Sequence, residues 1–126
     1  MMKKWTKEQI TEFSRADDMH VSPFYEDGKI YGTPTWIWSV VVDGDLYVRA
    51  YNGQQSRWYQ SAMTQGAGQI KFASQTFETI YTDASGDAIL DQKINAAYSS
   101  KYQESPYLPP MLAKGPVSAT VKISPK

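Results

Sequence analysis

Thr35-Trp36-Ile37-Trp38-Ser39-Val40-Val41-Val42, then Asp43-Gly44-Asp45, then Leu46-Tyr47-Val48-Arg49-Ala50-Tyr51, is the stretch that decides how this chain folds. Successive side chains of a strand point to opposite faces, so Trp36, Trp38, Val40 and Val42 share one face and Ile37 and Val41 the other. Apolar groups on both faces mean that both are covered, as in a barrel wall with a helix or a partner chain outside. Asp43-Gly44-Asp45 is a tight-turn signal. The second run returns antiparallel, with Leu46, Val48 and Ala50 alternating against Tyr47, Arg49 and Tyr51. Tight, adjacent hairpins disfavour a parallel sheet, whose crossovers need a dozen or more residues.

Upstream, Thr6 to Arg15 reads as a helix. Thr6 and Gln9 make a capping box, and Trp5 with Ile10 suits a hydrophobic staple. Met19 to Tyr25 reads as a strand, which Pro23 makes an edge or irregular one. It closes at Asp27-Gly28, a hairpin signal. Downstream, Asn52-Gly53 breaks the strand and Ser56 caps a helix running to about Gln65, stopped by Gly66 and Gly68. Gln69 to Ser74 and Thr76 to Thr82 read as strands, and Ser85-Gly86-Asp87 as a turn. Leu90, Ile94, Ala97, Tyr98 and Tyr102 form a helical stripe. Ser105-Pro106 opens a short helical turn cut off by Pro109-Pro110, and Val117 to Ile123 is the last strand. The order predicts an α+β, mainly β domain over residues 1–126: a six-stranded antiparallel split barrel with helices packed outside.

Composition narrows the function classes. A chain of 126 residues with 41% hydrophobic residues is long enough for one self-sufficient core. It has no cysteine, which excludes disulfides, iron–sulfur clusters and thiolate zinc sites. Thirteen basic residues balance thirteen acidic ones, so the footprint of a general nucleic-acid binder is missing. The opening Met1-Met2-Lys3-Lys4-Trp5-Thr6-Lys7 carries charge with no apolar stretch behind it, so a secretory leader is not expected. The longest apolar run is far too short to cross a bilayer. These readings point to a soluble cytoplasmic protein with no nucleic-acid or membrane partner.

No dinucleotide fingerprint, P-loop, zinc-protease helix or nucleophile elbow is present. His20 is the one histidine and reads as a strand-surface or hydrogen-bonded residue; no metal site is expected. Without a second histidine or a thiol, redox work has to come from a bound cofactor. One constellation stands out: Arg49-Ala50-Tyr51-Asn52-Gly53-Gln54-Gln55-Ser56-Arg57-Trp58. A strand ends, a glycine turns the backbone and a helix begins, offering unpaired N–H groups to an anion between Arg49 and Arg57. An ordinary strand–turn–helix joint needs the same glycine and serine, so that reading stays beside the functional one. Thr33, Thr35, Trp36 and Trp38 form a second candidate, a wall of hydroxyls and ring faces suited to a flat heteroaromatic ligand, or else simply core or a dimer seam.

Asp18-Met19-His20-Val21-Ser22-Pro23-Phe24, Tyr31-Gly32-Thr33-Pro34-Thr35-Trp36-Ile37-Trp38-Ser39-Val40, and Leu46 to Gly53 followed by Ser56-Arg57-Trp58-Tyr59 together resemble an uncharacterised bacterial family of short single-domain proteins. Lys101-Tyr102, Ser105-Pro106-Tyr107-Leu108 and Ala119-Thr120-Val121-Lys122-Ile123 look like its tail. The resemblance spans nearly the whole chain. It places the chain with the FMN-binding split-barrel superfamily, similar in layout to deazaflavin-dependent nitroreductases. It implies FMN or a deazaflavin as cofactor, though a cleft with none stays open, and a homodimer with the ligand site at the interface. The part matching the cofactor-contacting joint of those relatives is Ala50, Tyr51, Asn52 and Gly53, with Arg57 nearby. Those relatives carry a basic Gly-Arg-Lys-Ser-Gly-like turn before the long strand. Here Asp27-Gly28-Lys29-Ile30-Tyr31-Gly32 has one lysine and an acid, a departure that counts against phosphate binding, and against a deazaflavin in particular.

The resulting expectation is a flavin- or deazaflavin-dependent oxidoreductase acting on a small molecule. Arg49, Tyr51, Asn52, Gly53, Ser56 and Arg57 would hold phosphate or the ring edge, with Thr33, Thr35 and Trp36 beside the ring. The alternatives are a non-catalytic dimer binding a flavin- or haem-like ligand, and a dimeric scaffold whose cleft has degenerated. No catalytic side chain is singled out.

Overall fold

The computed structural model describes residues 4–126 of the protein. The reading of the first seven residues as lacking a leader falls partly on residues 1–3, outside the described residues.

The chain runs α1 (Lys7–Arg15), β1 (His20–Pro23), β2 (Thr35–Trp36), β3 (Ser39–Val42), β4 (Asp45–Arg49), a single 3₁₀ turn (Gly53–Gln55), α2 (Arg57–Gln65), β5 (Ala67–Phe72), β6 (Gln75–Asp83), α3 (Ala88–Lys101), α4 (Leu108–Met111), α5 (Lys114–Val117) and β7 (Thr120–Pro125). The seven strands form one antiparallel sheet in the order β2-β1-β5-β6-β7-β4-β3. The α+β, antiparallel expectation holds. The strand count differs by one, because Thr35 to Val42 is not one strand but two.

That difference shapes the molecule. β2 pairs with β1 through Val21↔Thr35 and His20↔Trp36, while β3 pairs with β4 through Ser39↔Val48 to Val42↔Asp45. One continuous stretch thus supplies both lateral edges of the sheet, so the sheet curls into a half-barrel that brings those edges together. The bend at Ile37-Trp38 is held by side chains of α3 and the residue after it. The Ser39 amide donates to the Tyr102 hydroxyl at 3.2 Å, and the Lys101 ammonium donates to the Ser39 carbonyl at 2.9 Å. Backbone groups that an unbroken strand would have paired within the sheet are satisfied by these side chains instead.

Both faces of the stretch are covered, as its pattern requires. Ile37, Leu46, Val48 and Ala50 join Phe13, Met19, Val21, Ile70, Phe72, Val121 and Ile123 in the inner core. Trp38, Val40, Val42 and Tyr47 pack outward against Ile94 and Tyr98 of α3 and Met111 of α4. Burying each such side chain fully is worth roughly 1.5–3 kcal/mol over leaving it exposed. The outer face is therefore covered by the chain's own helix. α1 is capped as expected, with Thr6 and Gln9 exchanging bonds of 3.1 and 2.8 Å. It is fastened by Phe13 stacked on Phe72 at 4.7 Å, with Trp5 edge-on to both Phe13 and Phe77.

Several local expectations shift for identifiable reasons. β1 lies inside the sheet rather than at its edge, and Pro23 is tolerated as its last residue, opposite Gly68. Gly68 does not stop a helix. It sits in β5, where an added Cβ would come 2.5 Å from the Ser22 carbonyl oxygen and 2.6 Å from the Pro23 Cα. Gly66 is the helix stop, in the left-handed conformation at φ 67°. β5 and β6 join through Ala73-Ser74, both at positive φ (52° and 63°), a hairpin conformation without the glycine or asparagine that would announce it. Pro109-Pro110 open α4 instead of ending a turn, since proline fits the first positions of a helix. Val117 closes α5, so the final strand starts three residues later, at Thr120.

Candidate functional site

Three adjoining hollows lie where the β2–β3 bend, the end of β4 and the start of α2 meet. The first, about 470 Å³, is lined by Trp36, Ile37, Trp38, Arg49, Tyr51, Ser105, Tyr107 and Met111. The second, about 290 Å³, is lined by Thr35, Trp36, Ile37, Tyr51, Asn52, Ser56, Arg57 and Trp58. The third, about 350 Å³, takes in Pro23, Tyr25, Gly32, Thr33, Thr35, Arg57, Trp58 and Ser61. Trp36 and Tyr51 border the first two, and Thr35, Arg57 and Trp58 the last two, so the hollows read as one cleft in three parts.

The curled sheet and the bend build this cleft. Ending β2 at Trp36 leaves its ring 54% exposed, while the next aromatic, Trp38, turns under α3 and is buried. The exposed ring is nonetheless fixed, because its Nε1–H donates to the Asp17 carbonyl at 2.8 Å. Tyr51, just past β4, stands edge-on to Tyr107 with ring centres 6.2 Å apart. The Thr33 and Tyr25 hydroxyls share a hydrogen bond of 3.1 Å, and the Thr35 hydroxyl donates to the Thr33 carbonyl.

The strand-to-helix joint is partly closed. Gly53 is buried at φ 70°, its amide donates to the Ala50 carbonyl at 2.8 Å, and it lines none of the three hollows. The Ser56 amide likewise donates to the Gly53 carbonyl at 3.1 Å. Past that point the helix start is open. Ser56 occupies the cap position but makes no side-chain cap bond, and no acidic residue stands in the first turn. The first backbone bond of α2 is Gln60 N–H to the Ser56 carbonyl, so the amides of residues 57–59 have no partner within the helix. Arg57 adds its own charge there and forms no ion pair among the described residues. A cation at the positive end of a helix is an unfavourable arrangement that a bound anion relieves.

The other arginine is spent on the fold. Arg49 is fully buried; its Nη1 donates to Asn95 Oδ1 at 2.5 Å and its Nη2 to the Asp91 carbonyl at 3.2 Å, with the guanidinium 5.5 Å from the Tyr98 ring centre. Its Nε has no partner. Burial lowers its pKa, while the Tyr98 phenol and the Asp91 carboxylate oppose that shift. Arg49 ties β4 to α3 and forms part of the floor of the first hollow, with its terminal nitrogens turned to α3. The acidic turn upstream is also self-satisfied: Asp27 Oδ1 accepts from the Lys29 and Ile30 amides at 3.0 and 3.1 Å, which holds its carboxyl below the usual range.

The profile of DUF2255, described as an uncharacterized protein conserved in bacteria, matches residues 9–123. The chain belongs to the DUF2255 family. No curated protein matches it. The fold is also similar to the crystal structure of a conserved hypothetical protein from Mycobacterium tuberculosis, at a TM-score of 0.64 and 12% identity, covering 97% of this chain and 79% of that one.

In this DUF2255 protein, eight of the nine positions singled out from sequence line the cleft: Thr33, Thr35, Trp36, Arg49, Tyr51, Asn52, Ser56 and Arg57. Sequence reading missed Tyr107, Met111 and Tyr25, and gave Trp58, at the end of the singled-out joint, no contact role. Trp58 carries a helical spacing that also suits core. Tyr107 and Met111 come from a segment more than fifty residues downstream, whose only local signal is the Ser105-Pro106-Tyr107 run. The three hollows hold no carboxylate and no imidazole among the described residues, but a neighbouring hollow of about 730 Å³ that shares Tyr25, Arg57 and Ser61 brings in Glu26 and Asp27. His20 lies on β1 with its Nδ1 3.1 Å from the Asp18 carbonyl oxygen, and no group of three His, Asp or Glu among the described residues is placed to hold a metal. No helix of the described residues is long and apolar enough to cross a membrane.

Proposed function

We propose that this DUF2255 protein binds a flat anionic cofactor of the flavin class, FMN or a deazaflavin, in the cleft, and uses it as an oxidoreductase on a small molecule. The observation that carries the reading is the meeting of an uncapped helix start and the unpaired Arg57 with the fixed face of Trp36 along one wall. Arg57 and the first amides of α2 would take a phosphate, Asn52 and Ser56 its edge, and Thr35, Trp36 and Tyr51 the ring. Such a cofactor, when bound, supplies hydride transfer by itself, so a wall without carboxylate or imidazole is compatible with it. The protein's part is to orient the ring and keep water from its face. The self-satisfied Asp27 turn makes the α2 end the better phosphate position.

The motif resemblance in the sequence implies the split-barrel flavin proteins, and we read the curled sheet and its bent strand in that light. A homodimer belongs to the same proposal. The outer face of the bent strand is covered by α3 and gives no reason for a partner. The half-exposed Trp36, Tyr51 and Tyr107 do. The same wall suits a second reading, a non-catalytic binder in the cytosol, because it presents no side chain able to exchange a proton at neutral pH.

The test is titration of the purified protein with FMN, following flavin and tryptophan fluorescence together. Saturable quenching that Arg57→Ala abolishes supports the site. No binding of FMN or a deazaflavin at high micromolar concentration removes the cofactor reading. Bound flavin with no reduction by nicotinamide donors favours the binder.

A further inference from the structure

The cleft is divided by charge. Trp36 and Tyr51 stand between the 470 Å³ hollow and the 290 Å³ hollow, lining both. The open cation, Arg57, belongs to the smaller side and does not line the larger. The only charged residue of the larger hollow is Arg49, which is fully buried, with both terminal nitrogens bonded inside the chain and its unpartnered Nε sealed from solvent. A guest in the larger hollow therefore meets aromatic and apolar wall, with Ser105 the one small polar residue and a positive charge sealed beneath. A carboxylate there would lose its hydration without gaining a partner, and a cation would also face repulsion.

The wall is preset for rings. The Trp36 indole is held by Asp17, and Tyr51 and Tyr107 stand edge-on to each other. Met111 lies on α4, whose Pro109-Pro110 stiffen that side. The volume falls within the roughly 300–1,000 Å³ typical of small-molecule sites. Trp36 and Tyr107 are 54% and 58% exposed, more apolar surface than a solvated loop needs to show.

We propose that this larger hollow is a separate binding chamber for an uncharged, ring-bearing hydrophobic molecule of naphthalene or quinone size. Taken as the substrate chamber beside the cofactor it rests on the function proposed above; as a binding site it stands on its own lining. The ligand class that follows is neutral and aromatic. Cationic amines and free carboxylates are excluded by the sealed Arg49 and the missing open counter-charge.

A matched set of probes tests it: naphthol, naphthoate and naphthylmethylamine at neutral pH, each followed by tryptophan quenching and calorimetry. Naphthol is expected to bind saturably, with both charged analogues about tenfold weaker or worse. Tyr107→Ala, at an exposed position that should not disturb folding, is expected to weaken naphthol about fivefold or more. Arg57→Ala should leave naphthol binding unchanged while abolishing that of FMN. If the amine binds as well as naphthol, or if Tyr107→Ala has no effect, the chamber assignment is wrong. FMN and a deazaflavin both failing while naphthol binds sinks the cofactor reading alone; naphthol failing while either cofactor binds sinks the chamber alone. If light scattering shows a dimer that Tyr107→Glu splits, and neither form takes up naphthol, the chamber is a protein seam and the inference is overturned.

Discussion

Arg49 and Arg57 lie eight positions apart and differ in what surrounds them. Arg49 is sealed and bonded to Asn95 and the Asp91 carbonyl, whereas Arg57 faces the cleft. Arg49→Met is expected to lower stability by about 1.5–3 kcal/mol in urea denaturation, since it breaks two bonds to a charged group and leaves part-buried acceptors unmatched. Arg57→Ala should change stability by less than about 0.5 kcal/mol, as surface substitutions do, and act on anion binding alone. Were the two effects exchanged, the division into strut and ligand contact would be wrong. Tyr98 belongs with Arg49: its hydroxyl accepts from the Arg49 amide at 3.0 Å. Tyr98→Phe strands that amide and should cost about 1–3 kcal/mol, readable by the same denaturation. Both arginines were visible in the sequence as candidate anion contacts. What separates them is burial under α3, a helix that arrives forty residues later and that no local pattern around Arg49 reveals.

At the scale of elements, the open start of α2 makes a prediction with two opposite signs. Ser56→Asp places a carboxylate at an uncapped helix end with no acid in its first turn. It should raise stability by about 0.3–1 kcal/mol through the helix dipole, and weaken FMN binding by filling the place of the phosphate. A variant both more stable and still able to bind FMN would show that the anion does not sit there. The close crossing of β1 over Gly68 gives a steric counterpart. Gly68→Ala drives a Cβ into backbone at 2.5 Å and should cost about 1–3 kcal/mol, seen as a lower thermal midpoint. Elements were legible where the chain states them locally: the Thr6 and Gln9 box, the β3–β4 hairpin at Asp43-Gly44, the Gly66 stop and the stripe of α3. They were not legible where tertiary contacts decide. The bend at Ile37-Trp38 exists because Tyr102 and Lys101 engage Ser39, and alternation alone reads straight through it. The Ala73-Ser74 turn lacks its customary residues, and the two prolines of α4 read equally well as a stop or a start.

For the whole molecule, stability should have a maximum on the alkaline side. Burial pushes the Lys101 ammonium down from 10.5 to about 8, opposed by Asp17 and Asp18. Between those two values the unfolded chain binds more protons than the folded one, so stability rises with pH across that window. Below about 8 both states are protonated and the folded state carries the full cost of burying the charge. Burial raises the Tyr81 and Tyr102 phenols from 10.0 to about 12, so above 10 the unfolded chain loses its protons first and stability falls. Urea midpoints followed across this range should peak near pH 10, and Lys101→Met should flatten the rise while leaving the fall. A midpoint that declines steadily from neutral pH would contradict the burial of Lys101.

β7 lies between β6 and β4 in the sheet, yet it is the latest of the seven strands in sequence. Its Ile123 carbonyl also accepts the Trp5 indole N–H at 2.9 Å. During vectorial synthesis the hairpin of β3 and β4 and that of β5 and β6 can form as soon as each is made. They remain two separate sheets until β7 is translated and joins them. The nascent chain therefore passes through a stage in which β4 and β6 each present an unpaired edge to other chains, and this is the stage at which a chaperone would matter most.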